Sequence, residues 1–218
     1  METKTISNPI INTKSHYNYS ELWNKLEAKG KQLYGKQFCF HNQDSDIILR
    51  LLIWFMQDID LAAENNINLF KGILLTGPVG CGKTSLMNLM RYLLPPSFSH
   101  RMKSCREVAF EYANEGYPVI RRYTKKCFQF DSPLPITICF DDLGLETEMQ
   151  YFGNPCNTMA EVLLSRYDYF ISHKMFTHIT TNLNSNEIEE RYGKRVRSRL
   201  REMFNLIAFN SEAKDKRL

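Results

Sequence analysis

Four groups of residues in this 218-residue chain have the types and spacing to do chemistry on a polyphosphate. The first is the run Gly77, Pro78, Val79, Gly80, Cys81, Gly82, Lys83 and Thr84, which fits G-x-x-x-x-G-K-[ST] and continues into Ser85. Such glycines let the backbone curl so that successive N–H groups face an anion at a helix N-terminus. Lys83 would reach the β- and γ-phosphates of ATP, and the Thr84 hydroxyl would ligate Mg²⁺. The second group is Asp141 and Asp142, at the end of the apolar run 136–140. Asp141 would hold Mg²⁺, directly or through water, and Asp142 would orient and deprotonate the attacking water as general base. Third, Thr181 and Asn182 close another apolar run, where Asn182 or Thr181 would touch the γ-phosphate or position the water. The alternative there is a plain strand-to-helix turn. Fourth, Arg195 and Arg199 stand four apart beside the apolar row Val196, Leu200 and Met203. Guanidinium groups so placed suit a developing phosphoryl charge, or else belong to a basic solvated helix or a nucleic-acid patch.

Each group requires an element to aim it. The run Ile73 to Leu75 reads as a buried strand, and Ser85 to Leu94 as a helix closed by Pro95 and Pro96. Strands are expected at 98–102, 136–140, 175–182 and 205–209, and helices at 105–115, 118–126 and 156–172, with a polar loop at 146–154. Asn184 with Glu187 has capping-box spacing for the helix carrying the arginines. Before the first strand, residues 1–17 read as a flexible lead. A helix capped at Asn18 follows, and then one long helix from Asp44 to about Asn65. The expected division is an N-terminal lead and helical adaptor, 1–66, and a nucleotide-binding core with a short tail, 67–218. The N-terminal helices are either a packing layer on the sheet or an adaptor that grips a partner and helps to hold the base, and both can hold at once.

Composition excludes several classes. With 43% hydrophobic and 24% charged residues, the chain can bury a core without disulfides. Its six cysteines form no C-x-x-C pair or Cys/His cluster and read as reduced thiols of a cytoplasmic protein. Cys81 is either a small residue that fits the loop or a site of oxidation. The N-terminus has no signal-peptide core, and the most apolar run, 47–56, is too short to span a bilayer. A net charge of +4 permits contact with nucleic acid without requiring it. The segment 121–126, with Arg121, Arg122, Lys125 and Lys126 beside Tyr123 and Phe128, is either a solvated face or a track for a single-stranded backbone. Arg166, among the apolar residues of its helix, is either salt-bridged or at a subunit interface.

The ordered set GPVGCGKT, FDDLG, TTNL and YGKRVRSRL resembles the AAA+ ATPases, and within them the DnaC-like helicase loaders and IstB-like transposition ATPases. The likeness covers about residues 70–210. It implies a three-layer αβα P-loop fold with a parallel sheet, here with an N-terminal helical extension; the chain departs from the family's pattern in having only about ten residues after Phe209, so the expected lid is reduced or absent. It further implies an ATPase that couples nucleotide state to single-stranded DNA and to loading of a replicative helicase. The alternatives are a transposition helper, a non-hydrolysing nucleotide-gated adaptor and a small-molecule P-loop kinase. By the same resemblance Asn182 matches the first sensor and Arg199 the arginine finger that enters a neighbour's site in a homo-oligomer. Arg195 matches a second interface arginine, and Arg217 stands where a second sensor would be sought.

Overall fold

The computed structural model describes residues 17–96 and 98–216. Five strands form one parallel sheet: β1 (Gly72–Thr76), β2 (Arg101–Ser104), β3 (Ile138–Leu143), β6 (Thr177–Thr181) and β7 (Phe204–Ala208). Their order is β2-β3-β6-β1-β7. Every neighbouring pair is parallel, with Leu75 opposite Thr180 on one side and Ile207 on the other. Parallel strands are covered on both faces, which is why β1, with Ile73, Leu74 and Leu75 all buried, reads as a continuous apolar run.

One face carries α1 (Tyr19–Tyr34), α2 (Ser45–Met56), α3 (Ile59–Glu64) and α4 (Lys83–Met90). Here Ile48, Leu51, Leu52 and Phe55 of α2 pack in one cluster with Ile73, Leu75, Met87 and Ile207. Full burial of such side chains stabilises by about 1.5–3 kcal/mol each. The N-terminal helices are therefore a layer of the fold. The other face carries α5 (Cys105–Glu115), α6 (Tyr117–Tyr123), α7 (Thr158–His173) and α8 (Ser185–Met203), whose Val108, Val162, Leu163 and Leu200 cluster with Phe140 and Ile179.

Local signals set most of the boundaries. The Asn18 side chain accepts from Glu21 N, and Gly35 ends α1 at φ 104°. Asn157 caps α7, and Asn184 with Glu187 forms the capping box of α8.

The structure corrects the sequence reading at several places. The long helix expected from Asp44 to Asn65 is broken at Gln57, which takes φ 54°. There Asp58 restarts the chain as the cap of α3 while also accepting from Tyr19 Oη. The loop expected at 146–154 contains a small hairpin, β4 (Met149–Tyr151) and β5 (Asn154–Cys156). β2 begins at Arg101 rather than 98, and Gly193, at φ 85°, kinks α8 ahead of Arg195 and Arg199. The lead expected at 1–17 falls, apart from Tyr17, outside the described residues.

Candidate functional site

The glycine-rich run forms the turn between β1 and α4, at the C-terminal edge of the sheet. Gly82 adopts φ 103° as the residue preceding α4, a conformation that a Cβ would oppose. Lys83 is the first residue of α4 and is 6% exposed. Its ammonium donates to Gly77 O (2.7 Å) and Pro78 O (2.8 Å), so the charge is held within the loop. Cys81 is fully buried, and burial raises its thiol above the usual value, so it is a packing residue rather than a reactive one.

The second group meets the first through Thr84, whose hydroxyl donates to Asp141 Oδ1 (3.0 Å). Consecutive residues of a regular strand point to opposite faces, so two adjacent carboxylates could not serve one site without a local irregularity. The structure supplies it. Phe140 pairs with Ile179 and Leu143 with Thr181, leaving Asp141 and Asp142 opposite Thr180 alone. Such a bulge re-aims side chains, and Asp142 takes φ 56° within it. Thr180, fully buried, fills the bulge: its hydroxyl donates to Asp141 Oδ1 (2.6 Å) and accepts from Asp142 N (2.9 Å). The sequence reading passed over Thr180; the available signal was a threonine within a strand beside the strand of the acidic pair.

Burial raises the Asp141 carboxyl above its ordinary value, and the neighbouring Asp142 charge adds to this. The hydrogen bonds from Thr180 and Thr84 and the charge of Lys83 work the other way. Glu146, buried beyond β3, accepts from Gly144 N (2.9 Å) and from the Tyr192 hydroxyl. The acidic loop is thereby tied to α8.

The third group lies beside the loop, because Gly77 N donates to Thr181 O (3.3 Å). Thr181 is buried with its hydroxyl on Leu143 O (2.6 Å), while Asn182 is exposed. Of the two candidates, only Asn182 is thus open to a ligand.

The arginines of α8 are elsewhere. Arg199 stacks 4.2 Å from the Tyr167 ring centroid and donates to Tyr167 Oη and Glu202, on the side of α7. Arg195 is exposed. Among the described residues neither forms a hydrogen bond or ion pair with Lys83 or Asp141. Arg217 lies outside the described residues.

Arg166 corrects both of its sequence readings. It is fully buried and donates to the carbonyls of Tyr123 (2.7 Å), Phe176 (2.7 Å) and Ile136 (3.3 Å) and to Thr177 Oγ1 (2.8 Å). It is a structural hub satisfied mainly by carbonyls, fully buried and without a salt bridge among the described residues. In the basic segment, Tyr123 is buried on Glu111, Phe128 packs on Tyr169 and His173, and Arg122 is paired with Glu111 and Glu115. These aromatics are not free to stack on bases; Arg121, Lys125 and Lys126 remain exposed.

The donors fit Mg²⁺ rather than a caged metal. They are the oxygens of Thr84 and Asp141, and no cluster of three His, Cys, Asp or Glu suited to a metal occurs among the described residues. Mg²⁺ is commonly held by one or two protein oxygens together with phosphates and water. A 670 Å³ cavity lies at the opposite end of the strands, lined by Arg101, Thr137, Phe176 and His178, so it is no part of this site. No described helix is long and apolar enough to cross a membrane.

Comparison with protein-family models and with curated proteins gives no match. Solved structures do match. A crystal structure of the DnaC helicase loader superposes with a TM-score of 0.55 at 18% identity, over 80% of this chain and 94% of that one. A putative primosome component from Streptococcus pyogenes serotype M3 gives 0.55 at 19% identity, over 80% and 83%. The replication initiator DnaA bound to AMPPCP and single-stranded DNA gives 0.52 at 14% identity, over 83% of this chain and 50% of that one. The shared architecture is an α/β fold with a five-stranded parallel sheet between helical layers.

Proposed function

We propose that this chain is an ATP-binding and ATP-hydrolysing protein of the DnaC-like helicase-loader type, whose nucleotide state governs its grip on single-stranded DNA and on a replicative helicase. The observation that carries the reading is the junction of the glycine-rich loop with the acidic strand end through Thr84 and Asp141, at the C-terminal edge of this sheet. Nucleotides bind parallel α/β sheets at that edge. The replication proteins that share the fold favour the loader over the transposition helper.

In this reading the N–H groups of residues 78–84 receive the phosphates at the N-terminus of α4. Lys83 exchanges the Gly77 and Pro78 carbonyls for the β- and γ-phosphate oxygens. Thr84 and Asp141 would hold Mg²⁺, which when bound would neutralise phosphate charge. Asp142 takes the proton of the attacking water, and Asn182 fixes that water's position. In the same reading Arg199, held beside Tyr167, acts on a neighbour's nucleotide, the site is completed between subunits of a homo-oligomer, and the protein works in the cytoplasm. Residues 1–66 are the part through which the helicase would be engaged.

The test is ATP turnover against protein concentration, with and without single-stranded DNA. A specific rate that climbs with concentration, and further with DNA, is expected. A flat rate indifferent to DNA would mean a self-contained site and would remove Arg199 from the chemistry.

A further inference from the structure

In a loop whose N–H groups turn inward to an anion, the carbonyls turn outward and need partners of their own. Gly77 O and Pro78 O are taken by Lys83, whereas the partners of Gly80 O and Cys81 O come from the segment after β7. Phe209 N donates to Thr76 O (2.8 Å), so the chain leaves the sheet alongside the glycine-rich loop. The segment then crosses the loop. Lys216 N donates to Gly80 O (3.1 Å), and Lys216 Nζ donates to Cys81 O (2.7 Å). The same ammonium forms an ion pair with Asp44, which is 4% exposed just before α2, and lies 5.1 Å from the Phe209 ring centroid. The Asp215 carboxyl occupies the space above Gly80, where a methyl group would stand 2.1 Å from its Cγ. One lysine thus ties residue 44, before α2, to residues 80 and 81 of the loop.

We propose that Lys216 is a positioning residue of the nucleotide site, clamping the outward carbonyls of Gly80 and Cys81 so that the loop's inward N–H groups are preset for phosphate, with Asp44 anchoring the clamp. The inference rests on the nucleotide reading above. A loop with Gly80 at φ 80° and Gly82 at φ 103° has many conformations open to it when free. Apparent affinity falls in proportion to the fraction of molecules in the competent one. Lys216 acts from the carbonyl side, so it sets how often the loop is ready rather than the rate of the chemical step. Gly80 has a second reason to lack a side chain, because any Cβ there would displace Asp215 and lift the clamp.

The experiment uses the full chain, with mant-ADP fluorescence for affinity, steady-state ATP turnover, and hydrogen exchange of the loop amides. Lys216→Ala is expected to weaken mant-ADP and raise KM for ATP about tenfold or more, with kcat changed less than about twofold. Lys216→Arg, which keeps a cation and several donors, should restore most of the affinity. Because Lys216→Ala strands the buried Asp44 carboxylate, the double variant Asp44→Asn/Lys216→Met removes the ammonium's hold on Cys81 O without leaving that charge, while the backbone bond from residue 216 to Gly80 O stays in every variant. It should bind as weakly as Lys216→Ala while melting as a folded protein. Wild-type affinity in either clamp-less variant overturns the proposal; in the double variant it would show that Lys216 serves only to neutralise Asp44. If the wild-type chain binds no mant-ADP, the nucleotide reading fails by itself. The clamp is then judged on exchange: faster exchange of residues 79–84 in Lys216→Ala supports it, and unchanged protection sinks it.

Discussion

Replacing Thr180 by valine removes one hydroxyl and leaves the shape of the side chain unchanged. In the structure that hydroxyl donates to Asp141 Oδ1 at 2.6 Å and accepts from Asp142 N at 2.9 Å, in a fully buried position. A hydrogen bond to a carboxylate contributes about 1.5–3 kcal/mol, and an amide left without its acceptor costs about 1–3 kcal/mol. Asp141 and Asp142 are themselves only half-buried, so water recovers part of this, and a loss of about 2–4 kcal/mol is expected. For a chain of this size that is a fall in Tm of roughly 5–15 °C. The functional effect follows from the same atoms. Freed from Thr180, Asp141 loses its aim, and support of this kind is worth about 10–100-fold in metal affinity. The Thr180 hydrogen bond also holds the Asp141 carboxyl down against burial. Without it the carboxyl rises further, protons compete with Mg²⁺ at higher pH, and the Mg²⁺ requirement of turnover grows as pH falls. Thr180→Ser is the control: it keeps the hydroxyl and loses one buried methyl, about 1 kcal/mol. Thermal melts and Mg²⁺ titrations of ATP turnover at two pH values read all of this. A valine variant with the melting temperature and Mg²⁺ dependence of the serine variant would refute the coupling.

Asp142→Asn should abolish most ATP turnover with little change in Tm, because asparagine tolerates the left-handed backbone at φ 56°; normal turnover would remove Asp142 as the base. Arg199→Ala should leave nucleotide binding intact, measured by mant-ADP fluorescence, and lower turnover by about 10³-fold. Arg166→Ala should cost about 3–5 kcal/mol in denaturant unfolding, since three buried carbonyls lose their donor at about 1–3 kcal/mol each, less what repacking recovers; an undisturbed fold with lost assembly would restore the interface reading. Burial drives His178 well below its ordinary value and His100 down to about 3, so both are neutral in the fold and take up protons on unfolding once pH drops below about 6.5. Stability from these two groups is therefore fully present above that pH and is lost by about 1.4 kcal/mol per pH unit for each as pH falls. With His178 left as the one buried imidazole of the pair, His100→Phe should roughly halve their joint contribution to the slope in urea melts between pH 6.5 and 5.

What the sequence determined by itself is what short stretches of chain decide. The glycine-rich loop is eight consecutive residues whose backbone conformation follows from glycine at fixed offsets, so the strand, turn and helix around it were legible without a partner in view. The caps at Asn18 and Asn184 are bonds between residues at most three apart. The buried strands announced themselves as apolar runs because both faces of a parallel sheet are covered. Arg199 could be named from its spacing, but that it stacks on Tyr167 rather than facing its own loop came from the structure.

Tertiary structure decided the rest, wherever the partner is distant in the chain. The break of α2 from α3 at Gln57 is joined to a Tyr19–Asp58 hydrogen bond across 39 residues, and no local periodicity carries that information. Thr180 enters the site only because β6 runs beside β3 with a bulge at the acidic pair, a fact of register rather than of composition. Arg166, on an apolar helix face, invited a carboxylate or a second subunit; the carbonyls of Tyr123, Ile136 and Phe176 that receive it come from three separate segments. The tail read as a short charged end, yet Lys216 reaches Asp44 across 172 residues because the sheet brings the end of β7 beside β1 and its loop. Local propensities fix which backbone conformations a segment prefers. Which side chains share a site is fixed by the packing of the sheet, whose strand order is a property of the whole chain.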